Sequence, residues 1–219
     1  MAERYHLPDT LALFPLRDAT LLPRARLPLN IFEPRYIAMT EHALGHGRLI
    51  GMIRPRHETD EINLPLYQVG CAGRITSFSE TDDGRYLIEL VGVSRFHLDG
   101  EMLADGNFRL GEVDWTPYEA DLQKPGADLG SLRAGVIERL AAYLESVGLS
   151  ADWNTIDGAS TETIVNSVSM SCPFDPDEQQ ALLEAPDIGE RIRVLMTLMD
   201  MALAEPDDSD SNDPSSRMQ

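Results

Sequence analysis

The stretch LPLNIFEPRYIAM, residues 27–39, sets Pro28, Glu33, Pro34 and Arg35 into an otherwise apolar run. It is either a chemical site or a joint where a strand passes into a helix. Leu27, Leu29 and Ile31 alternate as strand residues do. Pro28, which has no N–H to give a ladder, suits an edge strand or a strand end. Pro34 fits the first turn of a helix, where a missing N–H loses no bond. Glu33 then sits beside the helix N-terminus, where a carboxylate is favoured by about 0.3–1 kcal/mol. Tyr36, Ile37, Thr40, Ala43 and Leu44 share one helical face, and Gly45 can close the helix. Local physics accounts for every residue of the stretch except Arg35, which is left to pair with a carboxylate or to be solvated.

On either side of this joint the sequence reads as β structure. LALFPL (11–16) opens with alternating apolar residues, and RLIGMIR (48–54) is a short apolar strand. YQVGCAGRITSF (67–78) and RYLIELVGVSRFHL (85–98) are rich in β-branched residues and flank the turn signal TDDG at 81–84, a hairpin signature. FRLGEVDW (108–115) supplies a further strand after the turn residues Asp105 and Gly106. Gly70, Gly73 and Gly92 inside these strands point to bulges or tight bends. Short antiparallel strands with bulges predict a small, partly closed barrel.

Beyond YEADLQKPGAD (118–128), which reads as a linker, the period changes from two to about 3.6. Leu129, Leu132, Val136, Leu140, Tyr143, Leu144 and Val147 recur at helical spacing. STETIVNSVSMS (160–171) begins with cap chemistry and stops at Cys172-Pro173. Asp175, Pro176 and Glu178 form a capping-box pattern, and Asp187 with Glu190 repeats the signal. In the last helix Ile188, Ile192, Leu195, Met196, Met199 and Leu203 line one face. The expected organisation is a β-rich unit over 1–118, a helical unit over 119–204 and a disordered acidic tail over 205–219.

Composition removes several functions. The net charge is −19, distributed as +3 over residues 1–57, −9 over 58–119 and −13 over 120–219. A field of that sign repels phosphate backbones, so general nucleic-acid binding is disfavoured. Of the eighteen Lys and Arg residues only Lys124 is lysine, and no GxxxxGK[ST] phosphate loop is present. A Ser-Lys dyad would have to use Lys124, which lies in the loop-like QKPGAD. No apolar run reaches the length of about 18–20 residues that a membrane span needs. The N-terminus has no apolar signal region, and two cysteines make no disulfide framework, so the expected location is cytoplasmic.

The candidate chemistry is sparse. His42 and His46 are four apart, with His57-Glu58 nearby, but Gly45 and Gly47 end the helix there and the HExxH order is missing. Surface histidines are the better reading, and no metal or cofactor is expected. Ser94 and His97 are not a nucleophile elbow and, in a strand, face opposite ways. Cys71 reads as a packed thiol. The acid pairs of TDDG, EADL and DPDE coincide with turns and helix caps, and Tyr86 and Phe96 read as core rather than as base-stacking residues. No catalytic residue is assigned, and the chain is not expected to be an enzyme.

The segments LFPLRDATLLPRARLPLNIFEPRYIAM, VGCAGRI, GRYLIELVGVSRFHL and DEQQALLEAPDIGERIRVL together resemble the N-terminal substrate-binding domain of Lon proteases. The likeness spans about residues 10–203 and is closer to bacterial proteins made only of that domain. The IFExRY form also suits a domain of cereblon. The resemblance implies an α+β fold: a PUA-like antiparallel β pseudo-barrel with one intervening helix, followed by a C-terminal helical bundle. It implies a non-catalytic module that binds unfolded or extended polypeptide segments, or a protein partner such as a protease or chaperone, in protein quality control. Neither the ATPase and Ser-Lys protease modules of Lon nor the four-cysteine zinc domain of cereblon is expected here. Leu13, Phe14, Phe32 and Tyr36 lie in elements near the expected joint of barrel and helices, with Arg17 and Arg35 as polar anchors, and these six are the candidate binding residues. The alternative is an RNA- or nucleotide-binding PUA-like protein that presents Arg17, Arg24, Arg26 and Arg35.

Overall fold

The computed structural model describes residues 7–56, 64–123 and 129–204. The expected disorder of 205–219 lies outside these residues, as do His57, Glu58 and Lys124. Strands β1 (Thr10–Pro15) and β2 (Arg26–Ile31) precede helix α1 (Pro34–Gly45), and β3 (Leu49–Ile53), β4 (Val69–Glu80), β5 (Tyr86–Leu103) and β6 (Arg109–Asp114) follow it. A 3-10 segment, Thr116–Leu122, leads to the helices α2 (Gly130–Ser146), α3 (Trp153–Gly158), α4 (Thr161–Ser171), α5 (Pro176–Glu184) and α6 (Ile188–Ala204). The α+β class and the order of barrel before helices are as the sequence predicts.

Strand β5, 18 residues long, organises the sheet. One of its edges pairs with β4 over Tyr86–His97. Its other edge is shared end to end, by β2 over Tyr86–Val91 and by β6 over His97–Leu103. With β4–β3, β3–β1 and β1–β6 also paired, β5, β4, β3, β1 and β6 form a closed ring, and β2 extends it on one side. Closure leaves few unpaired edges. Within the described residues β2 pairs only with β5, so Pro28 does stand in an edge strand.

One pairing departs from the antiparallel expectation: β1 and β3 run parallel, Ala12 to Ile50 through Pro15 to Ile53. The physical reason is the crossover. The chain leaves β1, passes through β2 and α1, and returns to β1 as β3, while α1 packs on the outside. Both strands are therefore buried on two faces, as parallel strands usually are. Leu11 and Leu13 point into the barrel with Leu49 and Ile53, while Ala12 and Phe14 point to α1 with Ile50 and Met52. The barrel interior is filled by Phe96, and a Cβ on Gly70 or Gly51 would come within 2.5 or 3.0 Å of its ring.

The helices form their own core, with Val136, Leu140 and Tyr143 of α2, Ile164 and Val165 of α4, Leu182 of α5 and Ile192, Leu195 and Met199 of α6. Leu203, expected on the buried face of α6, is 40% exposed, since Met199 is the last residue of that helix to be fully buried. Helix α3, N-capped by the Asp152 carboxylate bonding Asn154 N–H at 3.1 Å, is absent from the sequence reading.

The two halves are joined by Leu183 of α5, which is buried in the barrel core, and by a set of polar contacts. Between the β2 and β6 pairings, the edge of β5 is open from Gly92 to Phe96. Gly92 bonds there to the loop before β2, its N–H donating to Ala25 O at 2.9 Å while its C=O accepts from Arg24 N–H at 2.8 Å. Three residues on, the Arg95 N–H donates to Asp121 Oδ2 at 3.0 Å. The Arg95 side chain, 2% exposed, holds the same carboxylate twice, Nε to Oδ2 at 2.8 Å and Nη2 to Oδ1 at 2.9 Å. Its remaining N–H groups reach the end of α5, at Leu183 O (3.1 Å), Ala185 O and Pro186 O (3.1 Å). All five guanidinium donors are thus satisfied, and the ring of Tyr118 lies 4.5 Å below.

Asp121→Ala strands a buried guanidinium, so it should lower unfolding free energy by about 3–5 kcal/mol in urea titrations. Gly92→Ala places a Cβ 2.0 Å from Leu22 O, and should lose about 3 kcal/mol in the same titration. An effect below about 1 kcal/mol in Asp121→Ala would show that Arg95 does not hold the halves together, and one in Gly92→Ala that the close approach of the loop before β2 is not required.

Candidate polypeptide-binding groove

The joint that opens the sequence reading forms one wall of a cleft. Glu33 is the N-cap of α1 with extended backbone (φ −73°, ψ 134°), and its carbonyl accepts from Tyr36 and Ile37 N–H, both at 2.9 Å. Its carboxylate makes no cap bond and turns instead to Arg35, accepting from Nε at 3.0 Å and Nη2 at 2.8 Å. This pairing holds the Arg35 guanidinium 4.5 Å over the Tyr36 ring, a cation–π arrangement. Tyr36 in turn packs on Phe14, with ring centroids 4.4 Å apart, and burial raises its phenol pKa.

Opposite this wall stand Pro55, Leu64, Leu66, Leu103 and Phe108, and the cleft between has a volume of about 270 Å³. Arg109 spans the rim, donating to Leu64 O at 2.8 Å and Glu101 Oε2 at 3.0 Å. The cleft continues through Arg17, Asp18 and Pro55 into a second depression of about 610 Å³, bounded by Arg54, Arg56, Tyr67 and the first residues of α5. Arg56 and Tyr67 also border a third, of about 450 Å³, with Val69, His97 and Glu184. Shared lining residues place the three side by side, in a row, hereafter the groove, that starts at α1, crosses the ends of β1 and β3, and ends at the seam with α5.

The groove's electrostatics are mixed. Arg54, 6% exposed, donates to Thr20 Oγ1 at 2.9 Å and to Gln179 Oε1, and burial lowers its pKa against the pull of Tyr67, Asp18 and Asp177. The Tyr67 hydroxyl donates to Asp177 Oδ1, which raises its pKa, and the Arg56 guanidinium lies 5.8 Å from the Tyr67 ring. Cations and carboxylates alternate along walls of apolar side chains.

Of the six sequence candidates, Arg17, Arg35 and Tyr36 line this groove. Leu13 and Phe14 are 0% and 5% exposed; Phe14 backs the wall through its contact with Tyr36, whereas Leu13 belongs to the barrel interior. Phe32 is 61% exposed and is not among the lining residues. Sequence reading missed Leu103, Phe108, Arg56 and Tyr67, because they come from strand ends and loops that only barrel closure brings together. Among the arginines of the RNA alternative, Arg24 bonds Glu162 at 2.7 Å, Arg26 bonds Glu89 at 2.7 Å, and Arg35 is held by Glu33.

Groups with catalytic potential are quiet. Ser94 is fully buried and donates to Arg95 O at 2.9 Å. His42 and His46 stack with centroids 4.0 Å apart, and no group of three His, Cys, Asp or Glu among the described residues is arranged to hold a metal ion. Burial pushes the Cys71 thiol far above its usual pKa and the Cys172 thiol up to about 11. At pH 8 the Cys172 thiolate is then about one part in a thousand. A disulfide reagent added at pH 8 should leave both thiols unlabelled in the native protein and label both in denaturant. Rapid native labelling of Cys71 would contradict its burial.

The family model of the ATP-dependent protease La (LON) substrate-binding domain matches residues 10–201. The Lon protease 2 of Sorangium cellulosum is 25% identical over 198 residues, which is 87% of this chain and 24% of that protein. The Lon protease 2 of Myxococcus xanthus is 24% identical over 200 residues, 88% of this chain and 24% of that protein. The chain therefore spans about a quarter of the length of these relatives. Among solved structures, the N-terminal domain of Mycobacterium avium complex Lon protease superposes with a TM-score of 0.62 at 17% identity, covering 87% of this chain and 98% of that one. A Lon N-terminal domain protein from Xanthomonas campestris superposes with a TM-score of 0.56 at 23% identity, covering 87% and 97%. At these identities the superpositions establish the fold.

Proposed function

Since the chain belongs to the family of the LON substrate-binding domain, we propose that it is a polypeptide-binding module whose site is the groove from α1 to the seam with α5. The observation that carries this reading is the groove itself, three adjacent depressions that share lining residues, with apolar and charged side chains side by side. A folded ligand would need one concave pocket, whereas an extended chain needs a track. Leu66, Leu103 and Phe108 offer apolar contact to its side chains. The arginines offer N–H donors to its carbonyl groups, and Asp18 and Asp177 offer acceptors to its amides. Such mixed contacts suit binding without a strict sequence requirement, because the peptide backbone is common to every client.

The module holds its ligand without cutting it. Supporting this are the protonated thiols and the buried serine hydroxyl, none of which provides an activated nucleophile. A role in protein quality control follows, in which the captured segment is passed to a protease or chaperone partner.

The test is a titration of a dye-labelled, carboxymethylated and permanently unfolded polypeptide, read by fluorescence anisotropy. Leu103→Asp changes a side chain that is 62% exposed and lines the groove, so the fold should survive. Combined with Arg56→Glu at the next depression, it should weaken binding by about tenfold, while melting temperature stays within about 2 °C. Unchanged affinity in the double variant would remove the groove from the proposal. A parallel filter-binding arm at low salt should retain no RNA, and retention there that Arg35→Glu abolishes would favour the nucleic-acid reading.

A further inference from the structure

The helical half carries a second cavity, built from other residues. Helices α2, α3 and α4 border an open cavity of about 260 Å³ lined by Leu140, Leu144, Ile156, Ile164, Val168 and Cys172, with exposed Ser and Thr side chains between. An engineered cavity of about 150 Å³ admits benzene, so this one has room for one large aromatic side chain. The turn between α2 and α3 that borders it leaves Val147, Leu149 and Trp153 at 40%, 49% and 41% exposed. Exposed apolar side chains clustered beside an apolar cavity mark a place where something docks.

Charge identifies the occupant. From residue 140 to residue 190 the sequence has ten Asp and Glu and no Lys, Arg or His. Every residue that lines the cavity falls in this stretch. The arginines just before it are turned to the protein itself. Arg133 donates to the carbonyls of Ala159 (2.6 Å) and Ile156 (2.8 Å) at the end of α3, and Arg139 bonds the Asp200 carboxylate at 3.0 Å. Glu145 of α2 and Asp157 of α3 stand exposed. An apolar cavity in a field of one sign selects an apolar side chain carried on a segment of the opposite sign.

We propose that this face docks a cationic amphipathic segment, a Lys- or Arg-bearing helix that inserts one large apolar side chain into the cavity between α2, α3 and α4. A second copy of the chain brings a net charge of −19 and is repelled, as is an anionic membrane. The site is independent of the groove, because the two share no lining residue.

The experiment uses the full chain and labelled amphipathic peptides of about 18 residues, long enough to form a helix. All carry the same Leu face with one Trp, and the polar face is Lys, Gln or Glu. The Lys peptide should bind at least about tenfold tighter than the Gln peptide, lose affinity as salt rises, and the Glu peptide should not bind. Ser167→Trp fills the cavity from an exposed lining position without changing charge, and should weaken the Lys peptide by about tenfold. Ser171→Trp, on the same wall, serves if the first variant fails to fold. Glu145→Lys with Asp157→Lys should weaken it similarly, whereas Asp82→Lys on the distant β4–β5 turn should change it by less than about twofold. Equal binding by the Trp variants, or equal affinity for the Lys and Gln peptides, overturns the proposal. So does dimerisation in sedimentation that Ser167→Trp abolishes, which would give the face to a second copy.

Discussion

The contact between Arg95 and Asp121 is the constraint on which the arrangement of this molecule depends. A guanidinium that is 2% exposed sits in the middle of the longest strand, at the one length of that strand where neither β2 nor β6 pairs. Removing such a charge from water is expensive, and only complete hydrogen bonding offsets it. Here the offset comes from two places far apart in sequence, the segment after β6 and the end of α5. The barrel edge is therefore satisfied only when the helices are docked in one orientation. Hydrophobic contact between the halves could tolerate sliding, whereas a planar donor with five fixed directions does not.

The same logic repeats around the seam. Arg191, 3% exposed, bonds Leu182 O at 2.8 Å and Asn166 Oδ1 at 3.2 Å, and burial together with the Arg95 charge lowers its pKa to about 10. Asn166 then donates to Pro23 O at 3.0 Å, and Gln180 donates to Val69 O at 3.1 Å. Arg24, held in a left-handed conformation at φ 66°, reaches Glu162 and the carbonyl of Asp121. The bonds of Asn166, Gln180 and Arg24 to Pro23 O, Val69 O and Glu162 cross between barrel and helices, while Arg191 ties α6 to α4 and α5 behind them. The helices have a core of their own, Leu183 of α5 and Met170 of α4 pack onto that of the barrel, and the polar bonds of the seam add specificity of orientation.

Where a residue's role is local, the sequence is readable. The turn from β2 into α1, the hairpin at 81–84 and the caps of α4 and α5 all follow from proline, glycine and short polar side chains acting within four residues. The burial of β3 on both faces is legible in LIGMI, an unbroken apolar run, but its parallel pairing with β1 is not, because a run so short does not declare its direction. Asp121 was hidden, since EADL offers no sign that its carboxylate leaves its own turn to meet Arg95 twenty-six residues away. The groove was half legible for the same reason. Arg35 and Tyr36 belong to a recognisable joint, while Leu103 and Tyr67 join them only because the ring of strands closes.

Fixing the halves in one orientation also has consequences for binding. The groove runs off the barrel against both ends of α5, at residues 175–177 and at Glu184, so its far wall exists only while the seam is closed. Arg54 shows the coupling directly, because it lines the groove and is held by Gln179 of α5. A ligand in the groove would touch both halves and stabilise their docked form by mass action, in proportion to its concentration over its dissociation constant. Loosening Arg95 would act on the groove from a distance, without any change in the residues that line it. Under the proposed function the seam is thus part of the binding apparatus: the buried charges that restrict the fold to one arrangement would also keep a track for an extended chain assembled.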